Sequence, residues 1–239
     1  MILTFTDFGH EGPYLGQLEM VLRRLAPNVP VIHLMADAPS FRPRAAGYLL
    51  AALAQGAPPG AVYLCGVGDS SDGVMLRAGE YWFVGPDNGL LEPVAVQAAD
   101  AAWWRIEWRP RKMSASFLCR DVLAPVAARL ALGIEAEAAG GVAPERRALS
   151  CPADLEEIVY IDRFGNAATG IRGSRLDKAA MLEIGGRRLK RAAAYADAAP
   201  GGLFWYVNSD GLVEVAGNEV SAADALGLAV GDPVTVECS

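Results

Sequence analysis

The sequence is poor in histidine, in paired cysteines and in positive charge, and each shortage excludes a class of function. Two histidines, His10 and His33, leave little material for imidazole-based zinc sites or catalytic triads. Four widely spaced cysteines form no Cys-x-x-Cys pair, so neither a disulfide framework nor a cysteine-rich metal site is indicated. The formal net charge of −7, from 21 Lys and Arg against 28 Asp and Glu, has the wrong sign for binding nucleic acid. We therefore expect no metal and no nucleic-acid partner.

No apolar run is long enough to cross a bilayer, because the stretch around 45–54 ends at Gln55 and Pro58. The first six residues carry no basic leader and are typical of a first strand rather than a secretion signal. We expect a cytoplasmic protein without membrane contact. With 239 residues, 52% of them hydrophobic, the chain is large enough for one big domain or two smaller ones.

The periodicity of apolar residues divides the chain into two parts. Strand-like runs alternate with helical segments over residues 1–140, which predicts an N-terminal α/β domain with a mainly parallel sheet. Residues 141–151 show no clear period and predict a linker. Short alternating runs between Gly, Asn and Asp turns predict an all-β, barrel-like domain over 152–239. The predicted strands are 2–6, 29–34, 62–67, 81–84, 158–161, 181–184, 203–207, 212–215 and 234–238, and the predicted helices are about 13–25, 44–55 and 121–132.

Three loops combine a carboxylate or amide with glycine at the end of a predicted strand. They are Thr6 to Gly9, Pro86 to Leu91 and Asp162 to Asn166. Asp and Asn bind hydroxyl and amine groups, and Phe offers a stacking face, so the three loops suit a nucleoside. Taken singly, each loop is more typical of an ordinary Asx turn than of a binding site.

Taken in order, these loops resemble the S-adenosylmethionine (SAM) hydroxide adenosyltransferase family, which is related to chlorinase and fluorinase enzymes. The resemblance covers nearly the whole chain. Its motifs are Thr6 to Gly9, Pro13 to Gly16, Phe41 to Leu50, Gly66 to Gly68, Pro86 to Leu91, Phe117 with Arg120 and Asp121, Asp162 to Asn166, and Asn208 with Ser209. It implies a two-domain homotrimer that needs no cofactor and binds SAM between the N-terminal domain of one subunit and the C-terminal domain of a neighbour.

The resemblance also implies which residues meet the ligand. Asp7 and Phe8 are expected on the nucleoside side, Asn88 at the amino-acid part or its own loop, and Phe117 on the ribose. The resemblance also places Asp162, Phe164 and Asn166 of the adjacent subunit at the methionine and adenine parts of the ligand. Asn208 and Ser209 complete the expected ligand-binding set.

The chain departs from the family at the residues that handle water. The hydrolytic members carry an Asp, an Arg and a His where this chain has Leu64, Ser71 and Leu118. Leucine can neither orient nor deprotonate water, although Ser70 and Ser116 supply hydroxyls nearby.

A fourth departure concerns the ribose. Gly12 stands where the family usually has an aspartate that grips the ribose hydroxyls. Glu11 is a candidate substitute, and His10 is either a substitute imidazole or an exposed loop residue.

The favoured interpretation is therefore a SAM hydrolase that yields adenosine and methionine. A catalytically inactive sensor of SAM or adenosine is the first alternative, and a purely structural trimer is the second. Cys65 and Cys119, which follow Leu64 and Leu118, are expected close together but unbridged. By strand alternation they should lie on the far side of a leucine-lined pocket.

Overall fold

The computed structural model describes residues 1–142 and 147–237, which form two compact units. The first unit comprises Met1–Gly47 and Ala54–Cys151, and the second comprises Tyr48–Leu53 and the chain from Pro152 onward. The expected class is confirmed, because a mostly parallel mixed sheet with helices precedes wholly antiparallel sheets. The domain limits 1–140 and 152–239 stay predictions, and Cys238 lies outside the described residues. No helix among those described is long and apolar enough to cross a membrane.

The first unit is built on a six-stranded sheet. Its strands are β1 (Ile2–Thr6), β2 (Val31–Met35), β3 (Val62–Gly66), β4 (Gly73–Ala78), β5 (Tyr81–Pro86) and β6 (Ala101–Ile106). Their order is β2-β1-β3-β5-β4-β6, with parallel pairing from β2 to β5 and antiparallel pairing of β4 to both β5 and β6. The helices are α1 (Tyr14–Leu25), α2 (Pro43–Leu53), α3 (Glu92–Gln97), α4 (Ala124–Ala131) and α5 (Ala136–Ala139).

The apolar periodicity of the sequence explains how the helices cover the sheet. Leu18 and Leu22, one helical turn apart on α1, are fully buried and belong to one cluster with Leu64 of β3 and Ala127 of α4. On the opposite face, the Tyr63 ring stacks on Phe83 with centroids 4.7 Å apart. Both faces of the parallel part are therefore buried, as such sheets require.

Strand β4 and helix α3 are absent from the sequence-based prediction. The β4 segment Gly73–Ala78 is a short apolar run, which periodicity alone cannot assign to helix or strand. Its pairing with β5 on one side and β6 on the other decides the conformation. The helix predicted over 121–132 instead begins as a π-helical turn, Cys119–Leu123, that leads directly into α4.

The second unit is a small closed arrangement of two antiparallel sheets. Its strands are β7 (Leu155–Ile161), β8 (Ala167–Arg172), β9 (Met181–Ile184), β10 (Arg187–Leu189), β11 (Leu203–Val207), β12 (Leu212–Gly217) and β13 (Thr235–Glu237), with one short helix, α6 (Ala222–Leu226). The sheet orders are β11-β12-β8-β7 and β10-β9-β13. Single bridges, Glu157 with Pro233 and Arg191 with Trp205, join the two sheets at both edges, which makes the unit barrel-like.

Two helical glycines give opposite expectations for a glycine-to-alanine substitution. A Cβ on buried Gly47 would overlap the Leu90 carbonyl oxygen and lie 2.9 Å from Pro93 Cγ, whereas a Cβ on Gly16 would meet no atom within 4 Å. We expect Gly47→Ala to lower the free energy of unfolding by about 1–3 kcal/mol. Gly16→Ala should raise it by up to about 1 kcal/mol, because alanine loses less backbone entropy in a helix. Urea denaturation of both variants tests this, and equal effects would contradict the packing described.

Candidate active site

The sheet reverses its winding direction between β1 and β3, and a small pocket opens there. The chain passes from β1 outward to β2 and then returns to β3 on the other side of β1, so the loops that follow β1 and β3 diverge. Open α/β sheets bind ligands at such a switch point. The pocket has a volume of about 70 Å³, enough for a few waters. The residues that line it are Phe8, Gly66, Gly68, Asp69, Ser70, Pro86, Ser116, Phe117, Leu118, Cys119 and Leu123. We call it the switch-point pocket.

Asp7 forms hydrogen bonds to the loops that surround this pocket. Its Oδ2 accepts hydrogen bonds from the backbone N–H of Gly68, at 3.1 Å, and of Phe41, at 3.4 Å. Its own backbone N–H donates to the Gly66 carbonyl at 3.2 Å. The carboxylate predicted for the nucleoside side therefore lies at the junction of the segments that follow β1, β2 and β3.

An aromatic cluster forms one wall of the switch-point pocket. The Phe117 ring meets Phe8 edge-on at 5.6 Å and Tyr14 at 5.7 Å between centroids. The Arg120 guanidinium lies over Phe117, with its Cζ 4.8 Å from the ring centroid. Two of the predicted ligand residues, Phe8 and Phe117, thus come together on the same wall.

Arg120 and Asp121 anchor this wall. Arg120 donates to both carboxylate oxygens of Asp121, at 2.6 and 2.9 Å, and to Gln17 Oε1 at 2.8 Å. The hydrogen bonds from Arg120 hold the pKa of Asp121 below its usual range. Asp121 Oδ2 also accepts the Ser114 N–H at 2.7 Å, so the pair fixes the loop that carries Ser116 and Phe117.

The prediction that the thiols lie on the far side of the pocket is wrong for Cys119. Cys119 lines the pocket beside Leu118, because strand alternation does not apply to this π-helical turn. Leu64, by contrast, lies in the core beneath the sheet and is not among the described residues that line the pocket.

The two cysteines are nevertheless near each other and buried. Gly66 adjoins Cys65 in the chain and packs so closely against Cys119 that a Cβ there would lie 2.9 Å from Cys119 Sγ. Burial, with a contribution from the charge of Asp7, raises the pKa of the Cys119 thiol to about 12. Burial also raises the pKa of the Cys65 thiol. Both sulfurs are therefore neutral thiols at physiological pH.

Asn88 links two loops through its amide. Its Nδ2 donates to the Val67 carbonyl at 2.9 Å, and its Oδ1 accepts the Leu90 N–H at 3.2 Å. Both ends of the amide thus bind backbone, and the ligand-binding role of Asn88 stays a prediction. His10 and Glu11 are exposed and are not among the described residues that line the pocket.

A second pocket, of about 460 Å³, lies in the β unit, and we call it the barrel pocket. It is lined by Phe164, Asn166, Tyr195, Gly217, Glu219, Val220 and Ser221. Its volume is in the range of small-molecule sites. Gly165 (φ +82°) allows the Phe164–Asn166 loop to approach, because any side chain there would overlap Ser221. Two predicted ligand residues, Phe164 and Asn166, share this pocket.

Two other predicted residues, Asp162 and Asn208, have structural partners. Asp162 accepts the backbone N–H of Phe164 and Asn166 and the Asn166 side-chain amide, in an Asx turn that aims both residues. Asn208 accepts two backbone N–H groups of its own turn and donates to Glu214. Neither Asn208 nor Ser209 is among the described residues that line the barrel pocket.

Sequence reasoning missed several lining residues, notably Asp69 in the first pocket and Tyr195 and Glu219 in the second. The position of Ser221 could have been predicted from the sequence, because a serine three residues before Asp224 is typical of a helix N-cap. In the structure its Oγ accepts the Asp224 N–H. Glu219 had none, since its left-handed backbone (φ +61°) depends on the surrounding turn.

Comparisons with known proteins identify the family of both parts of the chain. Residues 2–140 match the SAM hydroxide adenosyltransferase N-terminal domain, and residues 156–235 match the corresponding C-terminal domain. The chain belongs to the SAM hydroxide adenosyltransferase family. Within the described residues, no group of three His, Cys, Asp or Glu side chains could hold a metal ion.

Similar proteins match over nearly the full length. A (R)-S-adenosyl-L-methionine hydrolase of Salinispora arenicola is 37% identical over 97% of this chain and 95% of its own. A protein of the same name from Thermus thermophilus is 36% identical over 96% of both chains. Among solved structures, an uncharacterized conserved protein from Thermotoga maritima has a TM-score of 0.86 at 27% identity, covering 99% of both chains.

The raised pKa of Cys119 predicts that its thiol reacts slowly with alkylating reagents. At pH 8 a thiol with a pKa near 12 has about 1000-fold less thiolate than one with the ordinary value of 9.0. We expect a maleimide or iodoacetamide to modify half-buried Cys151 much faster than Cys119, as measured by peptide mass spectrometry. Equal rates at the two cysteines would show an activated thiol in the pocket and contradict this assignment.

Proposed function

We propose that the protein hydrolyses SAM to adenosine and methionine. The observation that carries the proposal is the full-length similarity to proteins named SAM hydrolases, together with a pocket at the switch point lined by the family's own motif residues. A binding protein without turnover and a structural trimer are less favoured, because the full-length relatives are named hydrolases.

The chemistry needs no cofactor, because the sulfonium is itself the leaving group. Water adds to the ribose carbon, the carbon–sulfur bond breaks, and the electron pair of that bond leaves with methionine as a neutral thioether. The apolar wall of Phe117, Leu118 and neutral Cys119 limits the water near the reacting carbon, which strengthens the charge interactions that remain. Hydrolysis is expected to be slow, since the Asp, Arg and His of the hydrolytic members are replaced.

A single assay tests the proposal. The purified protein is incubated with SAM, adenosine and methionine are followed by chromatography, and SAM binding is measured in parallel by calorimetry. Equal amounts of adenosine and methionine would support hydrolysis. Binding without products would favour the sensor, and the absence of both binding and products would favour the structural trimer.

We further propose a cytoplasmic homotrimer in which the switch-point pocket of one copy and the barrel pocket of another share one SAM molecule. The support is that the predicted ligand residues divide between two pockets, with Phe8 and Phe117 in one and Phe164 and Asn166 in the other. On this proposal, Asp7 binds the nucleoside, and Phe164 and Asn166 meet adenine and methionine.

Mixing of two inactive variants tests the shared site. We expect Asp7→Asn and Phe164→Ala each to lose most turnover, and an equal mixture, refolded together, to recover about one quarter of the wild-type rate. That fraction is the share of sites that receive an intact half from each of two copies in a random closed oligomer.

The matched control is Asp7→Asn mixed with the double variant Asp7→Asn/Phe164→Ala, which has no intact Asp7 and should recover nothing. Sedimentation as a stable monomer, or a mixture no more active than its parts, would contradict the shared site.

A further inference from the structure

Leu64, Ser71 and Leu118 replace the Asp, Arg and His of the hydrolytic members, so the group that handles the attacking water has to be found among other residues. Of the described residues that line the switch-point pocket, Asp69 alone carries a carboxylate. It follows Gly68 directly, and the Gly68 N–H is held by Asp7 at 3.1 Å. Asp69, which is exposed, therefore directly follows a residue whose backbone binds the Asp7 carboxylate.

The other polar groups of the pocket have less capacity for a water. The Ser70 hydroxyl donates to the Asp87 carbonyl at 3.3 Å and accepts the Asp72 N–H at 3.1 Å. The Ser116 hydroxyl lies 3.1 Å from that of Ser114. Asp69 Oδ1 accepts the Ser70 N–H at 2.9 Å, whereas Oδ2 has no hydrogen-bond partner among the described residues. One carboxylate oxygen at the pocket is therefore available.

An arginine that follows another strand contacts the loop that carries Asp69. Arg109 follows β6, and its Nη1 donates to the carbonyls of Ile106 and Trp108, at 2.9 and 3.0 Å. Its Nη2 reaches the Ser71 carbonyl and Asp72 Oδ1, both at 3.4 Å. A guanidinium thus contacts the backbone of Ser71, the position where the hydrolytic members carry their own arginine.

We propose that Asp69 is the catalytic carboxylate of this chain, which orients the attacking water through Oδ2 and accepts its proton. The inference rests on the proposed hydrolysis. The water oxygen forms a bond to the ribose carbon as the carbon–sulfur bond breaks, methionine leaves with the electron pair, and the released proton passes through Asp69 to solvent. The products are adenosine, methionine and one proton.

Asp69→Asn tests this role, because it keeps the size of the side chain and removes the base. We expect kcat for SAM hydrolysis to fall about 100-fold or more, the usual effect of losing a general base. The Kd of SAM, measured by calorimetry, should stay within about threefold, which also shows that the variant is folded. Asp69→Glu should recover part of the rate.

Glu80→Gln is the matched control. Glu80 is an exposed carboxylate between β4 and β5, at the opposite end of the sheet from the pocket. The kcat of this variant should equal that of the wild type. An unchanged kcat in Asp69→Asn would overturn the role of Asp69 alone. Weaker SAM binding with normal kcat would overturn it too, by making Asp69 a binding group. A wild-type protein without turnover would instead refute the proposed hydrolysis, and this inference with it.

Discussion

The candidate site depends on one carboxylate oxygen, Oδ2 of Asp7, which accepts backbone N–H groups from two other loops. One of these, Phe41, is 87% exposed and has φ +58°, a conformation that costs energy for a residue with a side chain. The hydrogen bond to Asp7 helps to hold it there. Because the segments after β1, β2 and β3 meet at this oxygen, the Asp7 carboxylate holds together the loops around the switch-point pocket.

An arginine from a distant part of the chain lies beside position 71. Position 71 has lost the arginine of the hydrolytic members, yet Arg109, which is 38 residues further along the chain, donates to the Ser71 carbonyl. The antiparallel pairing of β4 with β6 brings this arginine back to the loop. An arginine distant in sequence therefore contacts the loop after β3, although Arg109 is not among the described residues that line the switch-point pocket.

The sequence was informative wherever local chemistry decides the structure, as in the buried positions of α1, the Asx turn at Asp162 and the order of the family motifs. It was uninformative where long-range contacts decide, because β4 is a strand only through its two neighbours and Asp69 reaches the pocket only through the fold. The prediction for Cys119 fails for a specific reason: strand alternation does not hold in a segment that forms a π-helical turn. Leu64 and Leu118 likewise look equivalent in sequence, yet only Leu118 lines the pocket among the described residues.

The negative net charge suits a cationic substrate better than a polyanion such as nucleic acid. The net charge of −7 opposes binding to phosphate backbones but attracts a sulfonium. Asp69 presents a carboxylate to the pocket, beside an apolar wall in which the Cys119 thiol stays neutral, and Asp7 binds the loops around it. A thiolate there would compete with water as a nucleophile for the activated carbon. Burial, with a smaller contribution from the charge of Asp7, raises the pKa of Cys119 and suppresses that thiolate, so the pocket stays suited to attack by water rather than by sulfur.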